Sequence, residues 1–136
     1  PLPPPLQPAP PRATGTILVA DDEPAVLAVA RRVLEKSGFQ VMLAADGRAA
    51  LEVFEKHRHE IHAVLLDMTM PGPSSDKVFR ELRRLQPDVR VVLTSGYNEQ
   101  EATARFVGKG LAGFIQKPWR PADLTAALQA AIRANA

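Results

Sequence analysis

The chain has 136 residues, 46% of them hydrophobic and 24% charged, with no cysteine and a formal charge of +2. This length suits one compact domain. No apolar run approaches the ~18–20 residues that a membrane-spanning helix needs, and the lack of cysteine excludes a disulfide scaffold, a thiol nucleophile and a thiolate metal site. Basic residues are clustered only briefly, at Arg31-Arg32, at Arg80 with Arg83-Arg84 and at His57-Arg58-His59. These read as solvated helix faces and not as the basic stripe of a nucleic-acid-binding surface.

Seven of the 13 prolines fall within residues 1–11. Residues 1–13 therefore read as a Pro-rich disordered or polyproline II linker, and 14–136 as the folded domain. The linker contains P-x-x-P, a spacing that SH3-like partners take, and it lacks the basic start and apolar core of a signal peptide. A linker that begins with Pro, not Met, suggests a piece of a longer protein.

From Thr16 the pattern alternates. Thr16–Ala20 is a short β-branched apolar run, a strand. Pro24 to Gly38 carries Val26, Leu27, Ala30, Val33 and Leu34 at helical spacing, with Pro at its start and Gly as its stop. Gln40–Ala44 is a second strand, and Asp46–Lys56 a helix capped by Asp46. Ala63–Leu66 is a third strand. Ser75–Leu85 is a helix with Val78, Leu82 and Leu85 on one stripe, ended by Gln86-Pro87-Asp88. Val89–Leu93 is a fourth strand, Glu99–Val107 a weaker helix, Gly113–Gln116 a fifth strand and Pro121–Arg133 a last helix carrying Leu124, Leu128 and Ile132. Continuous apolar strands separated by helices predict a parallel sheet covered on both faces. Right-handed crossovers make this an α/β, (βα)₅, doubly wound five-stranded sheet. Ligands of such sheets sit beyond the carboxyl ends of the strands.

Those ends collect the chemistry. The first strand is followed by Asp21-Asp22-Glu23, the third by Asp67, the fourth by Thr94-Ser95 and the fifth by Lys117-Pro118. Each carboxylate alone is as well explained by helix or turn capping. Together they crowd one corner, where like charges about 4 Å apart repel by roughly 4 kcal/mol at an effective dielectric of 20. A hard divalent cation such as Mg²⁺ offsets that. A carboxylate beside Mg²⁺ and the Lys117 ammonium can attack a phosphoryl group, with the Thr94 hydroxyl and backbone N–H groups neutralising the rest. The histidines His57, His59 and His62 lie near the start of the third strand, at the opposite edge, and are not placed for base catalysis.

Asp21-Asp22, Asp67, Thr94 and Lys117-Pro118, in this order and spacing, resemble the receiver (response-regulator) domain of two-component signalling. The resemblance covers about residues 14–136 and implies the flavodoxin-like strand order 2-1-3-4-5. It implies Asp67 as phosphoacceptor for a phosphoryl group from phosphohistidine. It implies Asp22 as a direct Mg²⁺ ligand, Asp21 as a ligand mainly through water, and the backbone carbonyl of Thr69 as a further one. Lys117 and Thr94 would contact the phosphoryl group, and Thr94 with Phe114 would form the switch. Phe114 stands where Tyr is frequent, and as a core residue it would be buried in any case. Met70-Pro71-Gly72-Pro73-Ser74-Ser75-Asp76 matches the family's Met-Pro-Gly-x-x-Gly pattern except for Ser75 at the usual Gly.

The segments Ser95-Gly96-Tyr97-Asn98-Glu99 and Gly108 to Pro118 are similar to the C-terminal receivers of hybrid sensor histidine kinases. The implied setting is cytoplasmic, with a histidine kinase or histidine phosphotransfer domain as partner and no nucleic-acid or membrane contact by this domain. Docking is expected on the first helix near Ala25, Leu27, Ala28 and Arg31, with core packing as the competing account of Leu27. The face formed by the Glu99–Val107 helix, the fifth strand and the last helix is expected to carry output or homodimer contacts. Such a domain catalyses its own phosphorylation and dephosphorylation but acts as a signalling module. Three other classes compete with it. A haloacid-dehalogenase-like phosphatase needs Asp-x-Asp after the first strand, and a flavin-binding module needs a Ser/Thr/Gly-rich loop there; this chain has neither. A degenerate receiver acting only as a binding module is the third.

Overall fold

A computed structural model describes residues 15–70, 72–96 and 110–133. The proline-rich segment and the Glu99–Val107 helix expected from sequence lie outside the described residues. The elements are β1 (Thr16–Ala20), α1 (Pro24–Lys36), β2 (Gln40–Ala44), α2 (Gly47–His57), β3 (Ile61–Asp67), α3 (Ser75–Leu85), β4 (Val91–Ser95), β5 (Gly113–Gln116) and α4 (Pro121–Arg133). All strand pairs are parallel, and the five strands lie in the order β2-β1-β3-β4-β5, as expected.

The two-residue period of the strands divides the core. Leu18, Ala20, Val64, Leu66, Val91 and Leu93 face α2 and α3, where they meet Ala50, Phe54, Val78, Phe79 and Leu82. The alternate residues Ile17, Val19, Ala63, Leu65, Val92 and Ile115 face α1 and α4, where they meet Leu27, Ala30, Leu34, Leu124, Leu128 and Ala131. Burial on both faces is why the strands read as unbroken apolar runs.

The helix ends follow local chemistry. Asp46 is extended, and its side chain accepts from the Ala49 N–H at 2.7 Å, capping α2. After α1, Gly38 turns to φ 110°. Its N–H donates to Glu35 O and that of Phe39 to Leu34 O, the paired bonds of a glycine-terminated helix. At the start of α2, a Cβ on Gly47 would lie 2.8 Å from Val78 Cγ2 and 3.3 Å from the Pro73 carbonyl. Gly47 thus lets α2 close on α3.

Three boundaries and packing positions differ from the sequence expectation. Strand β3 is longer than Ala63–Leu66 because its pairing with β1 begins at Thr16↔Ile61 and shifts before Ile17↔Ala63. The extra residue is His62, whose Nδ1 accepts the Thr16 N–H at 3.0 Å. Strand β4 begins at Val91, not Val89: the Val89 N–H closes a turn on Gln86 O, and its side chain caps the core without joining the sheet. Register with β3 then carries Thr94 into the strand, opposite Asp67. In α3 the buried residues are Ser75, Val78, Phe79 and Leu82, while Leu85 is half-buried at the helix end.

Candidate functional site

The strand order reverses between β1 and β3, and the acidic residues meet at that switch. Asp21 follows β1 and Asp67 ends β3, at 1% and 0% exposure; Asp22 is exposed. One ligand oxygen from each of these three carboxylates lies within 4.8 Å of the others. Helix capping does not account for them: Glu23, not an aspartate, occupies the N-cap of α1, and its side chain makes no capping bond; the local bonds of Asp21 and Asp67 to backbone N–H groups use only part of their oxygen acceptors.

Lys117 reaches this corner from the end of β5, anchored by its N–H on Ser95 O at 2.7 Å. Its ammonium donates to Asp21 Oδ2 at 2.6 Å and lies 3.4 Å from Asp67 Oδ1. Asp21 Oδ1 accepts the Glu23 N–H at 2.9 Å. Thr69 is exposed beside Asp67, with its N–H and hydroxyl 3.3–3.4 Å from the carboxylate oxygens.

One ammonium among three carboxylates leaves a net negative corner. Burial, and then the charge of Asp21, push the Asp67 carboxyl above the ordinary range, against the pull of Lys117 and the Thr69 N–H. For Lys117, burial pulls the ammonium down. Its bond to Asp21 and the charges of Asp67 and Asp21 outweigh that, and the net shift is upward. Close oxygen donors carrying surplus negative charge are what a hard divalent cation takes.

Thr94 is 1% exposed. It alternates with Leu93, so it faces the α1–α4 side, while Phe114, paired in register with Leu93, is half-buried against the α2–α3 cluster. The Thr94 hydroxyl accepts the Trp119 indole N–H at 3.2 Å. The sequence reading does not single out Trp119; an aromatic donor two positions beyond Lys117 is the signal that could have found it.

Ser75 explains the departure from glycine. It is 6% exposed, and its hydroxyl donates to the Asp67 backbone carbonyl at 2.8 Å, tying α3 to the end of β3. Ser75→Ala removes one buried bond, and its expected cost is about 1 kcal/mol in a urea titration. Unchanged stability would mean that the bond is replaced without loss.

The expected docking residues divide. Ala25, Ala28 and Arg31 are exposed, and Arg31 pairs with Glu35 at 3.3 Å. Leu27 is a correction: 9% exposed, it packs with Ala30 and Leu34 in the core, because the apolar spacing of α1 turns it inward. Val29, 46% exposed, is absent from the expected set; it lies one helical turn after Ala25. The His62 ring is held on Thr16, at the opposite end of the sheet from Asp67, as expected.

A doubly wound sheet with a carboxylate cluster and a lysine at its switch point defines an α/β domain whose site suits a divalent cation and an anionic group. Residues 17–129 match the family described as the response regulator receiver domain, and the chain belongs to that family. It is 34% identical over 106 residues to Sensor kinase CckA of Brucella abortus, covering 78% of this chain and 11% of that protein. It is 26% identical over 113 residues to chemotaxis protein CheY of Thermotoga maritima, covering 82% of this chain and 92% of that one. A receiver domain protein from Clostridium thermocellum has the same fold, with a TM-score of 0.83 and 28% identity over 89% of this chain and 96% of that one. The chain spans about a tenth of CckA and 24% of the regulator HoxA of Bradyrhizobium diazoefficiens. It is a receiver domain of two-component signalling, not a dehalogenase-like or flavin-binding module. Receiver domains bind Mg²⁺ at such an acidic cluster and interact with histidine kinases or phosphotransfer proteins. Among the described residues, no helix is long and apolar enough to cross a membrane.

Proposed function

We propose that this receiver accepts a phosphoryl group on Asp67. The observation that carries the reading is the burial of Asp67 at the end of β3, 3.4 Å from the Lys117 ammonium and clustered with Asp21 and Asp22. Asp21, Asp22, Asp67 and the Thr69 backbone carbonyl would hold Mg²⁺, which supplies charge neutralisation for the phosphoryl oxygens. A carboxylate oxygen of Asp67 attacks phosphorus as the P–N bond to the donor imidazole breaks, and the imidazole nitrogen takes a proton. Lys117 neutralises a second phosphoryl oxygen, and the Thr94 hydroxyl donates to a third. Asp21 holds Lys117 in place through its 2.6 Å contact.

Phosphohistidine of a kinase or phosphotransfer domain is the donor in this reading. Its docking surface is the exposed part of α1 around Ala25, Ala28, Val29 and Arg31, small enough to pack against a helical bundle. Output, or a homodimer contact, uses the face that includes β5 and α4, with Thr94 and Phe114 as the switch. The resemblance to Sensor kinase CckA supports a cytoplasmic receiver carried on a hybrid kinase, with residues 1–13 as its linker; the mass of the whole gene product tests this.

Incubation with acetyl phosphate and Mg²⁺ should add one phosphoryl group, read as intact-protein mass. EDTA or Asp67→Asn should abolish the addition. Absence of the adduct in folded, Mg²⁺-binding protein that also fails with a phosphohistidine donor would leave a module that only binds. Retention of the adduct in Asp67→Asn would place the acceptor elsewhere.

A further inference from the structure

Trp119 lies just beyond the lysine of the site, and its indole half-buries against the α1–α4 side of the core. Its N–H points at one atom of the site, Thr94 Oγ1, at 3.2 Å. An indole N–H can only donate, whereas a hydroxyl has one proton and two lone pairs. The contact therefore fixes the Thr94 oxygen as the acceptor toward Trp119. The proton of that hydroxyl is left to donate in another direction. Thr94 stands in register beside Asp67, so an anionic oxygen carried on Asp67 is an acceptor within the adjoining strand.

We infer that Trp119 is a positioning residue that holds the Thr94 hydroxyl as a donor toward the phosphoryl group on Asp67. The inference rests on the phosphoacceptor reading above. It makes a prediction that the Thr94 role alone does not: the indole nitrogen, not merely the aromatic ring, contributes to phosphoryl binding, and it does so through Thr94. A hydroxyl free to rotate offers its proton to other acceptors part of the time, and buried hydrogen bonds to charged groups are sensitive to such loss of preorganisation.

The test uses fluoroberyllate, a tetrahedral phosphoryl mimic, with Mg²⁺ and the full chain. Trp119 is the single tryptophan, so fluorescence excited at the red edge of the indole band, where Tyr97 does not absorb, reads this residue alone. Wild-type protein should bind the mimic with a change in emission. Trp119→Phe keeps the ring and removes the N–H; binding followed by calorimetry should weaken about 5-fold, a modest fraction of what a charge-assisted hydrogen bond supplies. Thr94→Val should weaken binding by about 10-fold or more. The double variant should bind no more weakly than Thr94→Val, because the indole then has no hydroxyl to orient. Thr94→Val also leaves the ring untouched, and in it the emission change on binding should be largely lost.

Losses that multiply in the double variant would overturn the inference, as would wild-type affinity in Trp119→Phe. Tighter binding by Trp119→Phe would overturn it in favour of a restraint on Thr94. An undiminished emission change in Thr94→Val would show that Trp119 senses the mimic by another route. Failure of the wild-type protein to bind the mimic at all would count against the phosphoacceptor reading itself.

Discussion

Replacing Lys117 with Met should destabilise the metal-free protein by about 3 kcal/mol at neutral pH, the typical cost of stripping one partner from a buried charge pair. The ammonium is 2.6 Å from Asp21 and 3.4 Å from Asp67, and both of those carboxylate side chains are buried. Methionine keeps the apolar stem of the side chain, so the loss is chiefly electrostatic. For a domain of this length the expected fall in Tm is roughly 10 °C, measured by calorimetry in EDTA. Two conditions should shrink the loss. Saturating Mg²⁺ supplies positive charge to the same carboxylates and stabilises the state that binds it. Mild acid protonates Asp67, whose carboxyl already lies above its ordinary range, and so removes one of the stranded charges. Phosphoryl uptake should stay at least about 100-fold slower even with Mg²⁺, since no group then replaces the lysine at the phosphoryl oxygen. A Tm loss of the same size in EDTA and in Mg²⁺ would show that Lys117 acts by packing and not by charge.

The site was legible in the sequence because its residues sit at strand ends, and strand ends are marked by where apolar runs stop. Asp21, Asp67 and Lys117 are each the first charged residue after such a run, so a correct assignment of the strands brings them together without knowledge of any contact. The alternation of Leu93 and Thr94 between two faces was equally implicit once β4 was in register. What was not legible depends on pairing between distant segments. The two-residue shift in the β4 boundary is set by Val64↔Val91 and Asp67↔Thr94, and an apolar Val89 gives no sign that it serves a turn. His62 looks like any strand-edge polar residue until the shifted register of β1 and β3 turns its ring onto Thr16. The Trp119–Thr94 and Ser75–Asp67 bonds join residues 25 and 8 positions apart. Their geometry comes from the strand-to-helix turns, not from any spacing rule.

Asp67→Asn should abolish phosphoryl uptake and at the same time make the metal-free protein more stable. The sign follows from the direction in which the Asp67 carboxyl is displaced. Burial and the neighbouring Asp21 raise it above the 3.8 of an unfolded chain. The folded state therefore binds that proton more readily than the unfolded one, and the ionised form weakens the fold at neutral pH. The penalty is fully present above the folded value and is relieved as pH falls through it toward 3.8. Asparagine removes the charge, and its side-chain oxygen can still accept from Thr69. The variant should therefore be the more stable protein at pH 7 in EDTA, because it carries no charge for burial and Asp21 to oppose. The gain should shrink as the pH falls from 7 toward 3.8, as the wild-type carboxyl takes up its proton. It should reverse in saturating Mg²⁺, because the carboxylate then becomes a ligand and the variant has one fewer. Urea titrations of both proteins at the two pH values, each with EDTA and with Mg²⁺, test all of these signs. A variant less stable than wild type in EDTA at pH 7 would mean that Lys117 more than offsets the repulsion, and that the corner is not held under the electrostatic tension that favours binding a cation and a phosphoryl group.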